Sequence, residues 1–420
     1  MAFLLVGHSV LFSQDTNGAI NEKNVLETIS ILASDSLGGR GNGTADILKA
    51  GVYIGNRFKE AGLKPLTGQI GFFVPFTLPG NKGTSAPDIL EWNGELVSPG
   101  KFMFLHTMPG NYSPKNISDF KIVKLDTCFD ENVLSDLVKS DSNVLVWTNK
   151  LQLDEENYFP EIINMPEGGL SKNILLVYAD NKPASITLTG ESFYYNSKGY
   201  NVVGMLPGKS KPNEVVIFSA HYDHMGINTK NPKDLIMNGA NDDASGTTAV
   251  IALADYFAKL DNNERTILFC AFAGEELGLV GSYDFINYLI PESVVAMINI
   301  EMIAIPQFGK NKIMITGERN SDLPEILKSG MSKSNFSFRR DNDERKALFT
   351  RSDNYPFAIQ QVPAHTIMGS DDDDPCYHKP CDEVKRIDAN YMTRVIKAIA
   401  TSVSDILNGK LTPKRIKHIY

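Results

Sequence analysis

The run EVVIFSAHYDH (214–224) decides the reading of this chain. Its first seven residues are nearly all apolar, and His221, Tyr222, Asp223 and His224 follow at once. A short apolar run that ends abruptly in polar residues is the pattern of a strand buried on both faces, as in a parallel sheet covered by helices. The pattern recurs. RTILFCAFA (265–273) runs into Gly274, Glu275 and Glu276, and VVAMINIEMIAI (294–305) carries Glu301 near its end. Between the first two runs, TTAVIALADYFAKL (247–260) has helical spacing, and a helix-like piece spans about 279–289. Strands alternating with helices predict an α/β fold, with a mixed, mostly parallel sheet flanked by helices.

Outward from this centre, ADILKAGVYIGNRFKEAGL (45–63) places Ile47, Ile54, Phe58 and Ala61 on one helical face with Leu48 and Val52 beside them, and Gly62 stops it. YMTRVIKAIATSVSDIL (391–407) is an amphipathic closing helix. Residues 83–195 differ: short strand-like pieces (NVLVW, NILLVYA, SITLTG), scattered Pro and Gly, and no catalytic-looking cluster. They read as an inserted small β-rich domain. The expected organisation is a catalytic domain of 19–82 and 196–420 around an insert of 83–195. The segment 1–18 contains the apolar run AFLLVGHSVLFS (2–13), which reads as the core of a signal segment although its first basic residue is Lys23.

The chain has 420 residues, 42% hydrophobic and 22% charged, with a net charge of -9. That is enough apolar material for a large core. The acidic balance argues against a nucleic-acid or anionic-membrane surface, and no apolar run approaches the roughly 18 residues of a membrane span. Nothing in the sequence fixes an oligomeric state. Four cysteines are few for a disulfide scaffold. Cys270 reads as a buried thiol. Cys376 and Cys381 can close a small loop in an oxidising compartment, and Cys128 has no evident partner.

In open α/β sheets, ligands bind outside the carboxyl ends of the strands. Three strands therefore deliver polar groups to one edge: His221 with Asp223 and His224, Glu275 with Glu276, and Glu301. GANDDASG (239–246) adds Asp242 and Asp243, and YHKPCDE (377–383) adds His378. Paired acids converging with histidines point to a cation. Imidazole with carboxylate and no thiolate suits zinc, or manganese or cobalt as substitutes. Two histidines with an aspartate between them make a two-metal site. Glu275 and Glu276 point apart on an extended strand, so a bend after Gly274 lets one ligate while the other stands over a water. Tyr377, beside His378, can donate to an oxyanion. His224 reads as supporting structure.

SAHYDHMG, GANDDASG, AFAGEELGLVGS, INIEMI, SDNYPF and YHKPCDE, in that order, resemble the motifs of the co-catalytic zinc aminopeptidases of clan MH (metallopeptidase family twenty-eight, bacterial leucyl aminopeptidase type). The resemblance covers about 24–80 and 197–408. It implies an exopeptidase with a zinc-exopeptidase-like fold, and the signal-like segment makes the expected location secreted or periplasmic. It implies two zinc ions, one on His221, Asp242 and Glu301, the other on Asp242, Glu276 and His378. Glu275 is then the general base, acting on a metal-bound water, and Asp223 orients the His221 ring. The substrate is a peptide with a free N-terminus. The insert stands where some relatives carry a protease-associated domain. One position departs from the pattern. Glu301 stands where these aminopeptidases usually carry Asp, and relatives with carboxypeptidase-type activity use Glu. A carboxypeptidase or dipeptidase of the same clan is therefore the alternative. A glutaminyl cyclase or a metal-free binding ectodomain is more distant, because the full ligand set is present. The acidic run SDDDDP (370–375) reads as a solvated loop, or a calcium or basic-peptide site, and SDNYPF (352–357) reads equally as a pocket wall with Asp353 packing beneath the site or as a plain turn.

Overall fold

The computed structural model describes residues 18–84, 89–98, 100–105, 112–127, 129, 133, 136–137, 140–150, 172–190, 192–228, 234–341 and 346–419. The apolar run 2–13 and Cys128 lie outside the described residues. The chain forms two compact units, one running up to Phe76 and resuming at Gly199, the other spanning Thr77–Lys198.

The larger unit is built on a nine-stranded sheet. Its strands are β1 (Lys64–Pro65), β2 (Phe73–Thr84), β3 (Ser192–Leu206), β4 (Lys211–His221), β5 (Arg265–Phe272), β6 (Val294–Glu301), β7 (Lys312–Ile315), β8 (Ser337–Arg339) and β9 (Ala364–Met368). The order is β1-β3-β5-β4-β6-β9-β7-β8, with β2 also pairing β3. The four central strands β5, β4, β6 and β9 are mutually parallel. Their carboxyl ends therefore lie along one edge. β5 and β9 are buried at every residue and β6 at all but Glu301, as the unbroken apolar runs require.

Helices cover the sheet: α1 (Glu22–Leu32), α2 (Ala45–Glu60), α3 (Ser245–Leu260), α4 (Leu323–Ser332) and α5 (Ala389–Ser402). α2 starts where the Thr44 hydroxyl accepts from the N–H groups of Asp46 and Ile47. It buries Ile47, Ala50, Gly51, Ile54, Gly55 and Phe58, whereas Leu48 and Val52 are exposed. The stripe is thus narrower than the sequence suggested, because two glycines let the helix sit close to its neighbours. The closing helix breaks at Val403, with a short turn of helix at Ser404–Leu407. Each fully buried Phe, Leu or Ile in this core contributes about 1.5–3 kcal/mol. Among the described residues no helix is long and apolar enough to cross a membrane.

The smaller unit is β-rich. One four-stranded sheet runs Glu95–Leu96, Ile89–Trp92, Ile186–Gly190, Tyr112–Lys115; the other runs Phe102–Leu105, Ile174–Tyr178, Val144–Thr148, Lys121–Lys124. Leu90, Trp92, Phe104, Leu145, Trp147 and Leu188 belong to its own core.

Candidate metal centre

At the carboxyl ends of the central strands lies a cleft of about 410 Å³, whose wall includes Asp242, Glu275, Glu276, Glu301 and Tyr377. β4 ends at His221. β5 is followed by Gly274, whose φ of +75° turns the chain so that Glu275 and Glu276 leave the strand direction. β6 ends at Glu301. The segment after β9 brings His378, itself at φ +52°, in a loop closed by a Cys376–Cys381 disulfide. Asp242 lies in the turn before α3.

Asp242 stands at the centre. Its Oδ1 is 3.2 Å from His221 Nε2 and its Oδ2 is 3.2 Å from His378 Nε2. His378 Nε2 is also 3.2 Å from Glu276 Oε2. Donor atoms of His221, Asp242 and Glu301 lie within 4.8 Å of one another, as do those of His224, Asp242, Glu276 and His378, and those of His221, Glu275 and Glu276. His221 Nδ1 lies 3.2 Å from the Asp223 carbonyl oxygen and 3.6 Å from its carboxylate. With Nδ1 occupied in this way, Nε2 is turned toward Asp242 Oδ1. The Tyr377 ring stacks on His378 at 3.9 Å.

Charge supports the same conclusion. Burying this many carboxylates without compensation is costly. Burial alone would lower the His378 imidazole, but the Asp242 and Glu276 carboxylates hold it up at about 10. Burial and the Asp242 charge would raise Glu276, but hydrogen bonds from His224 and His378 take it down to about 2. Burial pushes Glu275 well above the usual carboxylate range, against the opposing His221. Burial also raises the Tyr377 phenol, as do the surrounding acids, so it remains a donor at neutral pH. His221 Nε2 and His224 Nε2 are buried without a hydrogen-bond partner. Bare imidazole nitrogens among converging carboxylates fit divalent cations of the zinc type.

Several expectations are corrected. The two adjacent acids do not both converge on the cleft. Asp243 turns away, and its Oδ1 accepts from the backbone N–H groups of Gly246 (2.8 Å) and Met302 (3.1 Å). The acidic run is not a solvated loop. Asp371 and Asp374 are buried, and Lys346 Nζ lies 3.2, 2.8 and 2.7 Å from Asp371, Asp372 and Asp373. A lysine already occupies the position a calcium ion would take. His224 keeps the supporting role expected of it, with Nδ1 2.9 Å from Oε1 of Glu276, itself a candidate ligand.

Other contributors lie within the quoted motifs YHKPCDE and SDNYPF. Asp382 Oδ2 accepts from the backbone N–H groups of Asn241 (3.1 Å) and Asp242 (3.0 Å), while burial raises it to about 6. Ser352 donates to Glu301 Oε2 and accepts from Asn299. Asp353 is fully buried, and burial raises it to about 7 although Ser282 donates to it.

Residues 201–403 match the family described as Peptidase family M28. The chain carries an M28 peptidase domain. Aminopeptidase YwaD of Bacillus subtilis is 23% identical over 418 residues, spanning 94% of this chain and 87% of that protein. A probable leucine aminopeptidase of Trichophyton verrucosum is 27% identical over 227 residues, 51% of this chain and 58% of that protein. The solved structure of BSAP, a zinc aminopeptidase from Bacillus subtilis, superposes with a TM-score of 0.63 at 18% identity, covering 96% of this chain and 99% of that one. At that identity the likeness speaks for the fold of the M28 domain.

Proposed function

We propose that this M28 peptidase is a zinc-dependent aminopeptidase that holds two zinc ions. His221, Asp242 and Glu301 hold one; Asp242, Glu276 and His378 hold the other. The observation that carries the reading is Asp242, which turns one oxygen toward each of two histidines, one at the end of β4 and one in the loop after β9. The relatives named as aminopeptidases and zinc enzymes support the choice of reaction and metal. Manganese or cobalt suits the same donors.

Zinc bound here would polarise a peptide carbonyl and make water acidic enough to attack at neutral pH. Glu275 accepts the proton of the attacking water and returns it to the leaving amine. Its burial suits this role, because burial raises it above the usual carboxylate range and so makes it a stronger proton acceptor. Tyr377 donates to the oxygen that gains charge. Asp223 holds the His221 ring so that Nε2 faces Asp242. Glu301 supports a carboxypeptidase or dipeptidase of the same clan as the second reading. We also propose export to the periplasm or the medium, supported by the Cys376–Cys381 bond, a linkage of oxidising compartments.

The test is hydrolysis of dipeptides blocked at one end or the other. Loss of cleavage on N-acetylation alone is expected. Loss on C-amidation alone would replace the aminopeptidase reading with the carboxypeptidase one.

A further inference from the structure

Arg40 is 1% exposed, and no carboxylate forms a salt bridge with it among the described residues. Its guanidinium donates instead to four backbone carbonyls. Nε reaches Tyr222 O at 2.8 Å, Nη1 reaches Leu32 O and Asn238 O at 2.7 Å each, and Nη2 reaches Gly239 O at 2.9 Å. The Arg40 carbonyl in turn accepts from His224 N at 3.2 Å.

A buried cation is costly, and carbonyl dipoles alone are weak compensation. The charges that favour it are those of Asp242, Asp382, Asp223 and Asp243, all on the segments it binds or beside them. Tyr222 lies between His221 and Asp223. Gly239 opens the turn that carries Asp242. A single planar fork thus ties the backbone of one candidate ligand segment to that of another. The local chain is shaped for this. Gly38, Gly39 and Arg40 all have positive φ, and a Cβ at Gly39 would lie 2.4 Å from Gly226 O and 2.5 Å from Met237 O.

We propose that Arg40 is a positioning residue for the metal centre, fixing the spacing between the His221 segment and the Asp242 segment. The inference rests on the two-zinc reading above. Its mechanism is geometric: only the fork, with donors on three nitrogens, spans carbonyls on both segments.

Arg265 supplies the comparison. It is also 1% exposed, but it lies at the opposite end of β5, pairs with Glu214 at 2.6 Å, and holds the carbonyls of Ile406 (2.7 Å) and Leu411 (2.6 Å). Arg40→Met, Arg40→Lys and Arg265→Met are made in the full chain. Zinc release to a chelator and the visible spectrum of the cobalt-substituted protein are recorded at temperatures equally far below each Tm.

All three variants are expected to lower Tm. Only the two Arg40 variants are expected to release zinc roughly 10–100-fold faster and to shift the cobalt bands. Release by Arg40→Met equal to that of Arg265→Met would overturn the inference, leaving Arg40 a folding residue. Unaltered release by Arg40→Lys would overturn the fork, since charge alone would suffice. Failure of both Arg40 variants to fold with zinc bound would also assign the residue to folding and overturn the proposal. If the unaltered protein takes up no zinc, it is the two-zinc reading that fails.

Discussion

The Asp223 carboxylate accepts the backbone N–H of Glu276 at 3.2 Å. The same group accepts from Glu275 N at 3.3 Å and from Asn42 Nδ2 at 2.6 Å, and it faces His221 Nδ1 at 3.6 Å. One buried acid therefore couples the histidine at the end of β4 to the glutamate pair after β5. It aligns a candidate ligand, a candidate base and the loop that carries Asn42.

Asp223→Asn tests this coupling. An amide keeps the shape but turns a donor toward either backbone N–H pairs or His221. Zinc affinity and kcat/KM are both expected to fall about 10–100-fold with little change in Tm. Zinc titration beside steady-state kinetics measures the pair. Unchanged affinity with lowered Tm would make Asp223 a packing residue.

The Cys376–Cys381 bond closes a short loop around Tyr377 and His378. Closing so short a loop is worth about 2 kcal/mol against the unfolded chain. The double variant Cys376→Ser/Cys381→Ser is expected to lose about that much stability. It is also expected to lose the zinc that depends on His378 more readily than the other. Stepwise zinc release by native and variant protein would show one phase accelerated and one unchanged.

Much of the fold and of the candidate site was legible in the sequence. The second half of β4, all of β5 and all of β6 but Glu301 are buried, so their apolar runs are nearly unbroken, and the polar residues that end them lie at the strand ends. That is why His221, Glu275, Glu276 and Glu301 could be placed at one edge. What was not legible depended on partners distant in the chain. Asp243 looks like Asp242 until the backbone of Met302 arrives to bind it. The acidic run looks solvated until Lys346 sits among its carboxylates. Leu48 and Val52 match helical spacing as well as their buried neighbours do. Arg40 reads as one more basic residue of a glycine-rich turn, and its four carbonyl partners come from 8 to 199 residues away.

His365 predicts a pH dependence remote from the metal centre. Its Nδ1 lies 2.8 Å from Thr316 O and its Nε2 2.7 Å from the Ser321 hydroxyl. Burial lowers its pKa to about 4, against a slight opposing effect of the Thr316 bond. A depressed imidazole is neutral when folded, so the unfolded chain binds more protons between pH 6.5 and 4. Its contribution is complete above about 6.5 and is lost as pH falls toward 4, a change on the order of 3 kcal/mol. Denaturation of the metal-free protein across that window should show the loss, and His365→Gln should flatten it. A parallel slope in both proteins would place the effect elsewhere.

The shared role of Asp242 is the central claim, and zinc titration of the metal-free protein tests it most directly. Activity and bound metal are followed together, beside Asp242→Ala. Two equivalents are expected for the unaltered chain, with weakened binding of both ions and loss of activity in the variant. Saturation at one equivalent, or a variant that still holds two ions, would contradict it.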